Sequence, residues 1–494
     1  MAAHKLGVIF RNPSNDAEFL LYRQPRPPKF EEGEDYDLYS DSDLWDLPST
    51  AELNPIAAGV VEPPILVQGV ELCSEKIDLR QFDLNSALIS VMGRVGLGVA
   101  DLGDWKFFKC VEEAEFGPGP PINFAFVEAK LLDKNTILRE HCKWMSIHTC
   151  REWLVNVKPG GVRVGLLAVI GLINESTEPT KFQVPSTLRF QEYPPGVVVI
   201  PMRSKTAKPF HTTNLVVFAP ENDSGECKDG SFVASGDALI VDPGCRSESL
   251  EELREIVAAL PRRLIVFATH HHRDHINGLS VIQKTNPDAI LLAHKNTMSH
   301  IHKDDWNSAY TFVSGSEDIC VGGQRLSIIF APGHTDGHLA LLHNSTRSLI
   351  VGDHCVGQGS AFLDLYSGAS MADYFKTTYK FMELSPHALI PMHGRVSFWP
   401  KHMLCGYLKN RRSREKSILR AIERGAETLF EIVVKAYSRI DHSYWIPASW
   451  NVKLHVDHLA LLDKLPKCFS IERFNRSLGS FAAELDKFEA KSSL

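Results

Sequence analysis

The stretch "ATHHHRDHING", from Ala268 to Gly278, places four histidines and one aspartate within eleven residues. It follows the apolar run "RLIVFA", which is typical of a buried strand. If the strand continues to its end, His270 and His272 point to the same side, because side chains alternate along a strand. Asp274 and His275 follow as the chain turns, so they can face a neighbouring position. Imidazole and carboxylate ligands without a thiolate suit zinc, and they also suit iron or manganese.

Three later segments repeat the order of a buried strand, a turn residue and a ligand. "RLSIIFAPGHTDGH" contains His334, "SLIVGDH" contains Asp353, and "ALIPMHG" contains His393. A catalytic zinc needs about three protein ligands and an open position, so the first cluster requires partners from elsewhere in the chain. We therefore expect these side chains to gather along one edge of a sheet structure.

The chain is long enough for two to four domains, with 494 residues, 44% hydrophobic and 23% charged. Strand-like runs alternate with helix-like stretches in the middle of the chain, which indicates an α/β layer arrangement. Pro194-Pro195-Gly196 marks where this part begins. We predict an N-terminal α+β domain at 1–194, a central α/β domain at 195–400 and a helical module with a tail at 401–494.

Charge and cysteine content exclude several classes of protein. The net charge of −7 provides no overall basic field for nucleic acid, so such binding needs a local patch. Ten cysteines without a CxxC pair fit a reducing compartment. No apolar run approaches the length of a membrane span, and the first residues lack a signal-peptide core. We expect a cytoplasmic protein without membrane attachment, and its oligomeric state stays open.

The order of these motifs resembles that of the metallo-β-lactamase superfamily. The HxHxDH motif is matched at 270–275, the GHTxGH-type motif at 333–338, the bridging aspartate at 353 and the last histidine at 393. The resemblance covers about 200 residues and implies an αββα sandwich. It implies that one zinc is held by His270, His272 and His334. It implies that a second zinc is held by Asp274, His275 and His393, with Asp353 bridging and Asp242 in a structural role nearby.

Two zinc ions per chain would make this protein a hydrolase. A bound water's pKa can fall from about 15.7 to near 7, which gives a metal-bound hydroxide at neutral pH. That hydroxide attacks an electrophilic carbonyl or phosphorus, and Asp274 is the predicted catalytic residue that orients it. Neighbouring histidines have other expected roles: His338 and His354 support ligands through hydrogen bonds, and His271 is structural.

The segments after Asp353 resemble the β-lactamase-like protein 2 family, which implies an endoribonuclease acting on single-stranded RNA. The resemblance also implies a C-terminal winged-helix-like module in "REKSILRAIERGAETLFEIV" and the segment after it. Phosphate contacts are expected from Lys409, Arg411, Arg412 and Arg414, although these cations could also form the solvated start of a helix.

The N-terminal part departs from that family, which lacks a comparable extension. "SDLWDLPSTAEL" and "NSALISVMGRVGLGV" resemble a nudix fold faintly, but the second segment lacks the carboxylates that bind magnesium in a nudix hydrolase. We therefore expect a degenerate nudix-like domain that serves for binding or dimerisation.

Three alternatives to this interpretation stay open. A glyoxalase-II-like thioesterase or another small-ester hydrolase needs the same two metals. A mononuclear iron oxygenase is permitted by the ligand types. A non-catalytic binding protein with a degenerate hydrolase core would not need the complete ligand set, which disfavours it.

Overall fold

The computed structural model describes residues 2–30, 34–56, 67–68, 73–74, 77–133, 138–174, 184–220 and 231–492. They form an N-terminal domain built on one sheet, a central sandwich of two sheets and a C-terminal helical module.

The N-terminal domain is built on an eight-stranded mixed sheet. The ten strands that the structure describes in this domain are β1 (Ala3–Asn12), β2 (Asn15–Arg23), β3 (Leu44–Asp46), β4 (Val67–Gln68), β5 (Cys73–Ser74), β6 (Ile77–Asp78), β7 (Trp105–Glu112), β8 (Ile122–Lys130), β9 (Cys142–Ser146) and β10 (Arg163–Val164). Its helices are α1 (Leu84–Val95), α2 (Ile147–Val155) and α3 (Leu166–Ala168), which continues into a π-helical turn, Val169–Ile173. The sheet order is β10-β3-β2-β1-β8-β7-β4, with β9 pairing β2 and with β5 and β6 as a separate pair.

Helix α1 covers one face of this sheet. Its buried residues Leu88 and Val91 pack with Val8 and Phe10 of β1 in one core. Asp83 caps the helix by accepting the Ser86 backbone N–H. The helix occupies most of the stretch predicted to be nudix-like and carries no acidic residue. A nudix origin for this domain stays a prediction.

The described residues of the central domain form thirteen strands. They are β11 (Gln191–Glu192), β12 (Val197–Arg203), β13 (Thr212–Phe218), β14 (Ala234–Gly236), β15 (Ala238–Val241), β16 (Leu264–Phe267), β17 (Ile290–Ala293), β18 (Tyr310–Phe312), β19 (Asp318–Val321), β20 (Gln324–Phe330), β21 (Leu339–His343), β22 (Ser348–Ile350) and β23 (Ala388–Ile390). One sheet has the order β11-β12-β13-β15-β16-β17-β18, and the other has the order β14-β19-β20-β21-β22-β23. The helices are α4 (Leu250–Ala259), α5 (Arg273–Ile276), α6 (Leu279–Thr285), α7 (Lys295–Met298), α8 (Met371–Glu383) and α9 (Pro400–Glu423).

The alternation of side chains along the strands builds four layers. In β12, Val199 faces the six-stranded sheet, whereas Val198 and Ile200 face α4 and α6. In β20, Ile328 faces the seven-stranded sheet, and Ile329 faces α8 and α9. Because both faces of each sheet are covered, the strands read as continuous apolar runs. The predicted αββα sandwich is confirmed.

The C-terminal module is helical. After α9 it contains α10 (Leu429–Ala436), α11 (Trp445–Leu461), α12 (Ile471–Ser477) and α13 (Phe481–Ser492). Helix α9 belongs to two cores, because Leu404 packs on the six-stranded sheet while Ile418 packs in the helical module. Between 400 and 492 the structure describes no strand, so the wing of the predicted winged helix is not confirmed.

Among the helices of the described ranges, α9 is the longest at 24 residues, and it is rich in lysine and arginine. In that part of the chain no helix combines the length and the apolar character required to cross a membrane.

Candidate metal centre

The predicted ligands lie at the ends of strands from both sheets. His270 and His272 follow β16, and Asp242 follows β15, which runs parallel to it, so these side chains reach the same edge. His334, Asp353 and His393 follow β20, β22 and β23. The structure thus brings together side chains separated by up to 123 residues, as the sequence predicted.

Gly352 allows the chain to turn tightly before Asp353. Its φ is +55°, and a Cβ atom at this position would lie 2.3 Å from His338 Nε2. The close approach lets the Asp353 backbone N–H donate to that nitrogen at 3.1 Å. His338 therefore fixes the segment that carries Asp353, which is the supporting role expected for it.

The first ligand group consists of three imidazoles. His270 Nε2, His272 Nδ1 and His334 Nε2 lie 3.0, 3.1 and 3.2 Å from one another. The outer nitrogens of two rings face acceptors: His272 Nε2 lies 3.0 Å from Asp364 Oδ2, and His334 Nδ1 lies 2.6 Å from the Phe362 carbonyl oxygen. Outer nitrogens that donate leave the inner nitrogens with lone pairs directed at one point.

The second ligand group combines imidazoles with carboxylates. His393 Nε2 lies 3.4 Å from both Asp274 Oδ2 and Asp353 Oδ2, and His275 Nε2 lies 3.5 Å from Asp353 Oδ2. The same Asp353 oxygen lies 4.0 Å from His334 Nε2 of the first group. Asp353 is thus placed between the two groups, in the position of a bridging ligand.

Asp242 supports the second ligand group on the side away from the metal site, through His275. Its fully buried carboxylate accepts the backbone N–H of Thr269 at 2.7 Å, the hydroxyl of Thr269 at 2.6 Å and His275 Nδ1 at 2.9 Å. Its φ of +48° is unusual for a residue other than glycine and indicates a backbone held in place by its surroundings. His393 is oriented in the same manner, because its Nδ1 lies 2.8 Å from the Thr212 carbonyl oxygen.

The two groups differ in electrostatics. Burial lowers the pKa values of His270 and His334 well below the usual value, so these rings are neutral. Burial alone would also lower the pKa of His393, but the Asp353 and Asp274 carboxylates raise it to about 9. The site therefore offers neutral nitrogen ligands in one half and requires positive charge in the other.

These atoms fit divalent metal ions. Nitrogen ligands about 2.0–2.1 Å from a tetrahedral zinc lie about 3.3–3.4 Å apart, close to the spacing of the three inner nitrogens. His275 Nε2 and Asp353 Oδ1 are buried without a hydrogen-bond partner among the described residues. Such groups are costly to bury unless something binds them. A cation in each group would satisfy both the converging lone pairs and the unpaired atoms.

Asp364 is a functional residue that the sequence analysis missed. It lies in an irregular segment before the 3₁₀ turn Leu365–Ser367, and its carboxylate faces His272. His271, expected to be structural, lies next to it, with Nε2 3.0 Å from the Ser367 hydroxyl and its ring stacked on His300. No motif marks position 364, because the chain reaches His272 there through a loop rather than a strand.

The expected phosphate contacts of α9 require correction. Arg411 is 2% exposed and donates to the Ala361 carbonyl and to Asn451 Oδ1. Arg412 forms ion pairs with Glu34 and Asp35.

The other two cations of this set contact aromatic rings. Arg414 lies over the Tyr437 ring, and Lys409 lies over the Phe30 ring and lines a cavity beside Gln358. Because Arg411 is buried, it is not available to RNA, whereas phosphate contacts by Lys409 and Arg414 stay a prediction.

A cleft of about 430 Å³ lies beside Thr212, on the side of His393 that carries Nδ1, and none of the candidate metal ligands lines it. Arg203, His211 and Arg246 line it from the central domain, and Glu115 lines it from the N-terminal domain. Thr212 also lines the cleft, and its carbonyl oxygen is the one that orients His393. The two arginines outnumber the one carboxylate, which favours an anionic ligand.

The N-terminal domain is joined to the region around His393 by an ion pair. Arg395, two residues after His393, pairs with both oxygens of Glu113 at 2.7 and 2.8 Å and also donates to the Pro120 carbonyl. The loop at 113–121 between β7 and β8 is thereby held against the site. The extension predicted to be a separate domain thus forms one wall of the cleft.

Comparisons with known proteins agree with this geometry. Residues 231–428 match the family described as the metallo-beta-lactamase superfamily. The segment that carries the candidate ligands is therefore a domain of this superfamily, whose members are metal-dependent hydrolases.

Within the superfamily, the predicted resemblance to the β-lactamase-like protein 2 family is confirmed. The beta-lactamase-like protein 2 homologs of Caenorhabditis elegans and Drosophila melanogaster are 27% identical over 259 and 216 residues. These alignments cover 51% and 40% of this chain and 84% and 69% of the relatives.

A second kind of relative is the hydroxyacylglutathione hydrolase of Thermosynechococcus vestitus. It is 30% identical over 139 residues, which cover 28% of this chain and 52% of that protein. Among solved structures, a beta-lactamase domain protein from Burkholderia ambifaria is 18% identical with a TM-score of 0.48 and covers 60% of this chain and 96% of its own.

Proposed function

We propose that this protein is a dinuclear zinc hydrolase that cleaves phosphodiester bonds in single-stranded RNA. His270, His272 and His334 would hold one zinc, and Asp274, His275 and His393 would hold the other. The observation that supports two metals is the placement of Asp353 Oδ2 between the groups, 4.0 Å from His334 Nε2 and 3.4 Å from His393 Nε2.

Two divalent cations would supply a hydroxide nucleophile at neutral pH by lowering the pKa of a water molecule to near 7. The residues of the chain provide position and charge. Asp274 Oδ2 faces His393 and can orient the nucleophile or hold a proton during the reaction. With two carboxylates and one hydroxide against two dications, the net charge of the centre is about +1, so an anionic substrate is attracted.

The cleft supports a phosphodiester as that substrate. Arg203 and His211 make no side-chain hydrogen bond or ion pair with another described residue, so both are available to a ligand. Arg246 donates only its Nε to the Ser204 carbonyl in the described contacts, which leaves the terminal nitrogens for phosphate oxygens. Guanidinium groups recognise phosphates through paired hydrogen bonds.

A substrate panel on zinc-reconstituted protein tests this proposal. Single-stranded RNA, single-stranded DNA, a glutathione thioester and a lactone are each incubated with the wild type and with Asp274→Ala. We expect cleavage of RNA by the wild type and a loss of at least two orders of magnitude in Asp274→Ala, as for other positioned acid–base groups. Thioester hydrolysis with intact RNA would contradict the nuclease assignment.

A thioesterase is the second candidate. Hydroxyacylglutathione hydrolases are among the relatives, and their similarity is confined to about a quarter of this chain. The cationic cleft is also compatible with an anionic thioester. In that case Arg203→Ala should raise KM for the thioester while RNA neither binds nor inhibits.

A further inference from the structure

The loop that orients the first ligand group also carries exposed aromatic rings. The Phe362 carbonyl oxygen faces His334 Nδ1 at 2.6 Å, and Asp364 faces His272. The Phe362 ring is 36% exposed and the Tyr366 side chain is 80% exposed. The same few residues therefore fix two metal-ligand candidates and present aromatic surface to solvent.

Trp450 of helix α11 completes this surface. Its ring centroid lies 5.1 Å from that of Phe362 and 5.3 Å from that of Tyr366, and the indole is half-buried. We call Phe362, Tyr366 and Trp450 the aromatic platform. Its members come from the sandwich and from the C-terminal module, so neither part forms it alone.

Buried Arg411 joins the two halves of the platform. One terminal nitrogen donates to the carbonyl of Ala361, which precedes Phe362, and the other donates at 2.8 Å to Asn451, which follows Trp450. Within the loop, Asp364 accepts the Tyr366 backbone N–H at 3.0 Å. These bonds hold the rings in position while Phe362 and Tyr366 stay exposed, which is the preorganisation expected of a binding surface.

The position of the platform indicates its ligand. Single exposed aromatic residues are ordinary in soluble proteins, but three adjacent rings at a functional site are not. The platform adjoins the His272 and His334 half of the centre, whereas the cationic cleft lies on the Nδ1 side of His393. A polymer that alternates anionic groups with flat rings could occupy both, and single-stranded nucleic acids are bound by this combination of charge and stacking.

We propose that the aromatic platform stacks a nucleobase of single-stranded RNA whose backbone crosses the metal centre. The inference rests on the proposed function and adds a surface that distinguishes a nucleic acid from other anionic substrates by binding its base. It also assigns a role to the C-terminal module, since Trp450 contributes a ring and Arg411 positions it. An apolar protein segment or a second copy of the chain would not depend on the bases of the oligonucleotide.

The test is binding of a short phosphorothioate oligoribonucleotide that contains the fluorescent base 2-aminopurine. Zinc-loaded wild type, Tyr366→Ala, Tyr366→Phe and Tyr310→Ala are compared. Tyr366 is chosen because its side chain makes one ring contact in the described structure, so its removal leaves the ligands in place. Tyr310, 52% exposed and at the start of edge strand β18, is the matched control.

We expect the wild type, Tyr366→Phe and Tyr310→Ala to quench the fluorescence and to bind with the same Kd. Tyr366→Ala should lose most of the quenching and bind about tenfold more weakly, within the range for loss of one stacked base. An oligonucleotide with an abasic site in place of 2-aminopurine should bind all four proteins equally. Unchanged quenching and Kd in Tyr366→Ala would overturn the platform.

Cleavage of unmodified RNA separates this inference from the proposed function. If the wild type cleaves RNA and Tyr366→Ala retains its KM and fluorescence response, the platform is wrong and the nuclease assignment stands. If the wild type binds the oligonucleotide with quenching but cleaves no RNA, the nuclease assignment is wrong and the stacking surface stands. Absence of oligonucleotide binding would contradict both.

Discussion

Replacement of Asp242 by asparagine tests whether its carboxylate orients His275 for metal binding. The carboxylate accepts three hydrogen bonds, two from Thr269 and one from His275 Nδ1. An asparagine keeps the shape but offers one oxygen. If that oxygen faces the Thr269 backbone N–H, the amide NH₂ faces His275 and favours the tautomer whose proton points into the metal site. If the asparagine oxygen faces His275, the amide NH₂ points at the Thr269 backbone N–H, and two donors then face each other.

Either orientation leaves at least one buried donor without an acceptor, at a cost of about 1–3 kcal/mol. Groups that support metal-ligating histidines change metal affinity by about 10–100-fold when they are removed, which corresponds to about 1.4–2.8 kcal/mol. The two estimates agree. We therefore expect Asp242→Asn to weaken the binding of the more labile zinc by about one to two orders of magnitude.

The assay is competition for zinc with a chromophoric chelator, together with thermal unfolding of the metal-free protein. Asp46→Asn is the matched control, because Asp46 is also buried and accepts the backbone N–H groups of Leu47, Leu167 and Ala168 in the N-terminal domain. Asp46→Asn should lower the thermal stability of the metal-free protein without changing its zinc affinity. Equal zinc affinity in Asp242→Asn and the wild type would refute the role assigned to this carboxylate.

Three further outcomes are expected from other parts of the chain. Glu113→Ala removes the partner of Arg395, so it should lower the free energy of unfolding, measured by urea titration, by about 2 kcal/mol. Glu128→Ala breaks the more exposed pair with Arg11, so it should lower the free energy of unfolding by less than about 1 kcal/mol. Burial would raise the pKa of Glu415, but hydrogen bonds from two histidines lower it to about 2 from its ordinary 4.5, so this carboxylate contributes stability above pH 4.5 that is lost towards pH 2. Urea titrations across that interval should show the stability difference between the wild type and Glu415→Gln disappearing, and a constant difference would contradict this assignment. Arg411→Ala should destabilise the protein by about 3 kcal/mol, because it removes buried contacts. It should leave the salt dependence of RNA binding unchanged. A flatter salt dependence in this variant would show that Arg411 contacts phosphate.

The candidate ligands could be predicted because they follow regular strands. In such strands the side-chain direction is fixed by alternation, and neighbouring parallel strands end at one edge, so His270 could be expected at that edge, whereas Asp242 was indicated by the resemblance to the superfamily. The same logic placed Asp353 and His393 at the ends of two parallel strands of the other sheet. Strand-like runs that alternate with helix-like stretches predicted an α/β layer arrangement, whereas the αββα order came from the resemblance to the superfamily.

Residues on loops and in helix packing were not predictable in this way. Asp364 reaches His272 from an irregular segment whose path depends on the packing of α8 and α11. Arg411 reads as a surface cation within "KNRRSREK", but the two elements that bury it are distant in sequence. Arg412 pairs with Glu34 and Asp35, which lie 378 and 377 positions earlier in the chain, and such long-range charge pairing has no local sequence pattern.

The central claim is that two metal ions lie in the two ligand groups with Asp353 between them. A crystal of the zinc-loaded protein, measured at wavelengths above and below the zinc absorption edge, tests it directly. The account predicts two anomalous peaks, one among His270, His272 and His334 and one among Asp274, His275 and His393. A single peak in either group, or peaks away from both, would contradict it.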